Sequence, residues 1–185
     1  MKIAVILPGV GYHKDKPLLY YASKLVRGMG YEVIDIEYHD MPQKIRGNAE
    51  MMKKAAELAF AQTSEQLAGI DLSSCEELLF IGKSIGTYVL AKYINDHELN
   101  AKQIWYTPVE ATFMFGSGNV IAFIGDDDPW SDVGNVKKMA KDQKIELYSY
   151  PGCNHSLETD DVDINLKNLS DVMRKTRDFL AMDMC

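Results

Sequence analysis

Short, continuously apolar runs alternate along the chain with longer segments whose apolar residues recur every three or four positions. Val120-Ile121-Ala122-Phe123-Ile124 has no polar break, which fits a strand buried on both faces of a parallel sheet better than one with a solvated face. Short β-branched or apolar runs predict six strands, over 2–7, 32–37, 78–82, 103–106, 119–124 and 145–149. The segments between them predict helices over 16–29, 47–68, 86–97 and 131–142, with a last one over 162–181. In that last helix Leu166, Leu169, Val172 or Met173, Thr176 and Leu180 share one face, a stripe suited to lie on a sheet. Alternating β and α segments with right-handed crossovers give an α/β protein, a three-layer α/β/α sandwich around a mainly parallel six-stranded sheet. Reactive groups in such sheets collect beyond the carboxyl ends of the strands.

Composition narrows the class. At 185 residues, with no repeat, low-complexity tract or linker, residues 1–185 read as one domain. Twenty Lys and Arg against 27 Asp and Glu leave a net charge of −7, which argues against a nucleic-acid or anionic-membrane surface. No stretch approaches the roughly 20 apolar residues needed to span a bilayer. The run Ile3-Ala4-Val5-Ile6-Leu7 stops at Pro8-Gly9 with no small-residue cleavage site, so it reads as a first strand rather than a signal peptide. Cys75, Cys153 and Cys185 are odd in number and lack C-x-x-C spacing, which favours neither a disulfide framework nor a zinc site. A cytoplasmic location is expected, with no metal and no cofactor. Oligomeric state is not encoded in any visible pattern.

The densest chemical signal is Gly82-Lys83-Ser84-Ile85-Gly86, between the apolar run Leu78–Ile81 and the predicted helix 86–97. A tight strand-to-helix turn with little bulk on either side can hold a serine hydroxyl out over a sheet edge. The pentapeptide alone is a weak signal in a chain with 13 glycines, so a base, an acid and an oxyanion site are required as well. A serine hydroxyl needs a base to remove its proton, and His suits that task near neutrality. Of the four histidines, His155 stands in the turn-rich Pro151-Gly152-Cys153-Asn154-His155-Ser156, just past the sixth strand. His39 reads as a turn residue and His97 as a solvated helix end. After the fifth strand come Asp126, Asp127 and Asp128, of which at most one can face His155. Ser131 or Asp132 suits the cap of the helix that follows. The Ile85 N–H opens a helix, where free donors and the dipole favour negative charge, and a second donor is expected from the loop Pro8–Gly11, at Val10. Gly82-Lys83-Ser84 is not the end of a phosphate-binding loop, because the glycine required five residues earlier is Glu77. Gly9-Val10-Gly11-Tyr12-His13-Lys14 lacks the third glycine of a dinucleotide fingerprint.

Taken in chain order, Ser84, an acid after the fifth strand and His155 resemble the α/β-hydrolase family over nearly the whole sequence. Pro8-Gly9-Val10-Gly11 is similar to that family's oxyanion loop, and Gly82–Gly86 to its nucleophile turn. Gly125-Asp126-Asp127-Asp128-Pro129 is similar to its acid turn, where the acid usually stands three residues after the glycine, and this selects Asp128. Gly152–Ser156 is similar to its histidine loop. The resemblance implies a minimal core that starts at the family's third strand, with strand order 2-1-3-4-5-6. Residues 107–118 are too few for a long lid helix, so an uncovered site is expected. It also implies a serine hydrolase acting on a small-molecule carboxylic ester or thioester through an acyl-enzyme, with Ser84, His155 and Asp128 as the triad. An acyltransferase using the same triad, or an inactive binding module on the same fold, is the alternative. Tyr12, Phe113 and Trp130 are the aromatics expected to contact substrate. Lys83 is expected to be solvated at the turn and Cys153 to be a small packing residue.

Overall fold

The computed structural model describes residues 1–116 and 118–182; Cys185 lies outside them. Six strands, β1 (Lys2–Leu7), β2 (Glu32–Asp35), β3 (Glu77–Lys83), β4 (Lys102–Tyr106), β5 (Val120–Gly125) and β6 (Glu146–Tyr150), form one sheet in the order β2-β1-β3-β4-β5-β6. Every pairing is parallel. Five helices cover it: α1 (Pro17–Gly28), α2 (Ala49–Leu67), α3 (Ile85–Asp96), α4 (Val133–Asp142) and α5 (Val162–Ala181). Between β4 and β5 the described residues hold only the short 3-10 helix Glu110–Met114.

The unbroken apolar runs have a direct cause, because successive residues of each strand enter opposite cores. Ile3, Val5, Leu7, Phe80 and Trp105 pack with Ala59 and Leu67 of α2, Val89 and Leu90 of α3, and Val136 and Ala140 of α4. Ala4, Ile6, Leu79 and Ile81 pack with Leu18, Leu19, Ala22 and Val26 of α1 and with Val172, Phe179 and Leu180 of α5. Helix starts follow local chemistry. Pro17 opens α1 with its dihedral already helical. Asn48 accepts from the Met51 N–H at the start of α2, and Asp132 from the Asn135 N–H at the start of α4. Asp132 is thus the cap, while the Ser131 hydroxyl donates to the Pro108 carbonyl.

The stripe of α5 is shorter than its periodicity predicts. Val172, Thr176, Phe179 and Leu180 are buried, but Leu166 is 59% exposed. The first turns of α5 lie along the loop after β6 instead of on the sheet: the Asn165 side chain accepts from the Thr159 N–H (2.6 Å) and donates to the Thr159 carbonyl (2.9 Å). No helix among the described residues is long and apolar enough to cross a membrane. Leu19→Ala should therefore cost about 2–5 kcal/mol in urea unfolding, and Leu166→Ala less than about 0.5 kcal/mol.

Candidate active site

Strand β3 ends at Lys83 and α3 begins at Ile85, so the chain turns at Ser84 alone. Ser84 has φ 56° and ψ −123°, a region that costs a non-glycine residue on the order of 1–3 kcal/mol. Its surroundings hold it there. The Ser84 N–H donates to the Tyr106 carbonyl at 2.9 Å, and the Ser84 carbonyl accepts from the Thr87 N–H (2.9 Å) and hydroxyl (2.6 Å). A Cβ on Gly86 would stand 2.5 Å from the Leu7 carbonyl oxygen and 2.7 Å from that of Pro8. The bare backbone at Gly86 thus lets α3 press against the end of β1 and sets the loop after β1 beside Ser84. In that loop Gly9 and Tyr12 exchange two backbone hydrogen bonds of 3.1 Å, leaving Val10 and Gly11 at the tip. Among the described residues the N–H groups of Val10 and Ile85 meet no acceptor.

Asp128 and His155 arrive on two interlocked turns. Asp126 N–H donates to the Tyr150 carbonyl at 2.9 Å and Asp127 N–H to the Cys153 carbonyl at 3.0 Å. A Cβ on Gly125 would stand 2.6 Å from the Asn154 carbonyl oxygen and closer still to that of Cys153. His155 is thereby hung over Ser84. The Ser84 hydroxyl lies 2.7 Å from His155 Nε2, and His155 Nδ1 lies 2.7 and 2.9 Å from the two oxygens of Asp128. With a carboxylate beside Nδ1, that nitrogen donates and Nε2 accepts from the serine. Asp128 is buried, and its Oδ1 also accepts from the Trp130 N–H at 2.9 Å. Asp126 instead accepts from Lys137 and Ser149, and the Asp127 side chain is exposed. His13, His39 and His97 are exposed and lie outside this group. Cys153 is buried, and its sulfur accepts from the Asn168 amide.

Burial pushes the His155 imidazole below its ordinary value of 6.5; the Asp128 hydrogen bond opposes this, and the positive charges of Lys83 and Arg46 add to it. Lys83 is not the solvated turn residue expected from the sequence. It is 2% exposed because its side chain follows the parity of Leu79 and Ile81 into the face covered by α1 and α5. Burial lowers its amine to about 7, against the opposing pull of Asp128 and Glu158.

A hollow of about 20 Å³ opens beside Ser84 and His155. By the same measure a single water needs roughly 10–15 Å³. Its remaining walls are Val10, Ile45, Met52, Ile85, Val109 and Trp130, and the Trp130 ring stacks on the His155 imidazole with centroids 5.4 Å apart. On the far side of Val10 lies a cleft of about 600 Å³ with polar walls that include His13, Lys14, Glu37 and His39. Of the three aromatics expected at substrate, Trp130 alone lines the hollow. Tyr12 is buried, its hydroxyl accepting from the Leu18 N–H, and Phe113 packs edge-on against Trp105 in the core. Ile45, Met52 and Val109 escaped the sequence reading; the faint signal for Ile45 was an apolar residue stranded in a polar loop. No group of three or more His, Cys, Asp or Glu among the described residues is placed to hold a metal ion.

No protein-family model and no curated protein matches the chain. Solved structures do. An α/β serine hydrolase homologue from Coxiella burnetii superposes with a TM-score of 0.66 at 15% identity, over 94% of this chain and 84% of that one. A lidless α/β serine hydrolase from Xanthomonas campestris gives 0.63 at 14% identity, over 98% and 83%. Est1E from Butyrivibrio proteoclasticus gives 0.66 at 12% identity, over 98% and 89%. The chain has the α/β-hydrolase fold. Within that fold the interlock at Gly125 carries the site, so Gly125→Ala should lower stability by about 1–3 kcal/mol in thermal or urea unfolding. It should also change the near-ultraviolet circular dichroism of Trp130.

Proposed function

We propose that the protein is a serine hydrolase that cleaves a small carboxylic ester or thioester through an acyl-enzyme. The observation that supports this reading is the unbroken chain of hydrogen bonds from the Ser84 hydroxyl through His155 to Asp128. Ser84 Oγ attacks the carbonyl carbon as its proton passes to His155 Nε2. Asp128 holds Nδ1–H and stabilises the imidazolium that forms. The carbonyl oxygen, now an anion, lies between the N–H groups of Val10 and Ile85, donors each worth on the order of 10² to 10³ in rate. The bond to the alcohol or thiol breaks as His155 returns the proton to that leaving group. Water then attacks the acyl-serine while His155 takes its proton, and the carboxylic acid departs with Ser84 restored. The cycle uses protein groups and water alone, in a small-molecule enzyme of the cytoplasm.

The hollow favours a small substituent next to the reacting carbonyl, because Ile45, Met52, Val109 and Trp130 enclose it. Among p-nitrophenyl esters, acetate should therefore exceed octanoate in kcat/KM by about tenfold or more. Acetyl-thioester turnover measured alongside tests the second substrate type. Ser84→Ala and His155→Ala should each lose at least about 10³-fold in kcat/KM with the fold intact by circular dichroism. Asp128→Asn should lose about 10²-fold or more, and Asp126→Asn less than about threefold. Full ester turnover in Ser84→Ala would refute the proposal. So would failure of the folded wild-type protein to turn over any ester or thioester.

A further inference from the structure

Two lysines of this protein are buried, and they are buried differently. Lys102, at the start of β4, donates to the carbonyls of Leu180 and Met182 where α5 ends, so its charge meets the negative pole of a helix. Lys83, at the end of β3, has no carboxylate or carbonyl of the described residues within bonding distance of its Nζ. Its neighbour is the ring of Tyr12, with the ammonium 4.9 Å from the centroid. Its stem runs beneath the loop after β1: a Cβ on Gly9 would stand 3.3 Å from Lys83 Cδ. The same side chain therefore touches both ends of the Gly9–Tyr12 turn that carries Val10. Tyr12 is itself pinned by the Leu18 N–H on its hydroxyl, and burial raises that phenol to about 12, so the ring stays uncharged. The groups that act on Lys83 are Asp128 and Glu158; those that act on His155 are Asp128, Lys83 and Arg46. Lys83 Nζ is not among the fully enclosed side-chain atoms that lack a partner, so its tip keeps contact with solvent, but holding the rest of this charged side chain out of water is costly.

We propose that Lys83 is a positioning residue of the site: its side chain, seated on the Tyr12 ring, fixes the loop that presents the Val10 N–H, and its charged form opposes a second positive charge on His155. The inference rests on the hydrolytic reading above. The sign follows from like charges. A cation beneath the site opposes a second positive charge on the imidazole, so the base survives to lower pH; without that cation His155 protonates more readily and the acid limb of reactivity moves to higher pH.

The test is the rate at which an alkyl fluorophosphonate labels Ser84, followed from pH 4.5 to 8.5 in the wild-type protein, Lys83→Met and Tyr12→Leu, with folding checked by circular dichroism. The wild-type acid limb should have its midpoint below 6.5. In Lys83→Met the midpoint should rise by about half a pH unit or more, and the plateau rate should fall by about tenfold as the loop loses its seat. Tyr12→Leu should lower the plateau and leave the midpoint where the wild-type protein has it. A folded Lys83→Met with wild-type midpoint and plateau overturns the proposal. Should that variant not fold, a folded Tyr12→Leu with the wild-type plateau overturns the proposal, and one with a lowered plateau at the wild-type midpoint supports it. No labelling of the wild-type protein overturns the hydrolytic reading and this one with it, whereas labelling with the wrong pH dependence overturns this one alone.

Discussion

Everything at the reactive edge depends on backbone segments approaching one another more closely than side chains would allow. At Gly86 the first turn of α3 lies against the carbonyls of Leu7 and Pro8, and at Gly125 the end of β5 lies against those of Cys153 and Asn154. These two contacts lock four loops into one body. Ser84 and His155 are 71 residues apart in sequence, and His155 and Asp128 are 27 apart, yet their hydrogen bonds need no long flexible side chain to reach across a gap. A site assembled from backbone contacts is rigid by construction, which is the condition that pre-organised donors and dipoles require.

Much of the architecture was legible because the relevant physics is periodic. Strands buried on both faces have no polar phase, as in Ile3–Leu7 of β1, Leu78–Ile81 of β3 and β5, whereas the edge strands β2 and β6 keep polar residues and were legible from their β-branched and aromatic residues instead. The order of Ser84, an acid after the fifth strand and His155 was equally visible, because each stands in a short turn just past a strand and parallel strands bring such turns to one edge; the choice of Asp128 among three acids came from the family resemblance alone. The three acids after β5 were resolved by register: Asp126 faces Lys137, Asp127 faces solvent, and Asp128 reaches inward to His155.

What stayed illegible lacks a period or depends on which face of the sheet wins. Ile45 in the loop before α2 and Met52 in the first turn of α2 wall the hollow, and no local pattern announces that. Tyr12 and Phe113 were expected at substrate as aromatics on loops past the strands, whereas their rings complete the two cores. Lys83 was misread for a different reason. Strand parity puts it on the same face as Leu79 and Ile81, and that signal was overridden by the general rule that lysine stays in water. The rule fails where the chain has a use for the charge.

The same logic orders the remaining irregularities. The two buried side-chain oxygens without a hydrogen-bond partner among the described residues are those of Asp35 and Thr107, at or just beyond the carboxyl ends of β2 and β4. Thr107 also has a positive φ of 46°, uncommon for a β-branched residue, and it follows the Tyr106 whose carbonyl holds the Ser84 N–H. At the opposite edge of the sheet polar groups are matched: Lys2 and Tyr31 both meet Glu77, and Lys102 meets the end of α5. Positive φ occurs at both rims, at Ser84, Thr107 and Leu157 on this one and at Glu98 and Lys144 just before β4 and β6, whereas the two unmet hydrogen bonds lie on the rim that holds Ser84. The unmet hydrogen bonds, rather than the strained dihedrals, therefore distinguish the rim that holds Ser84 from the opposite one.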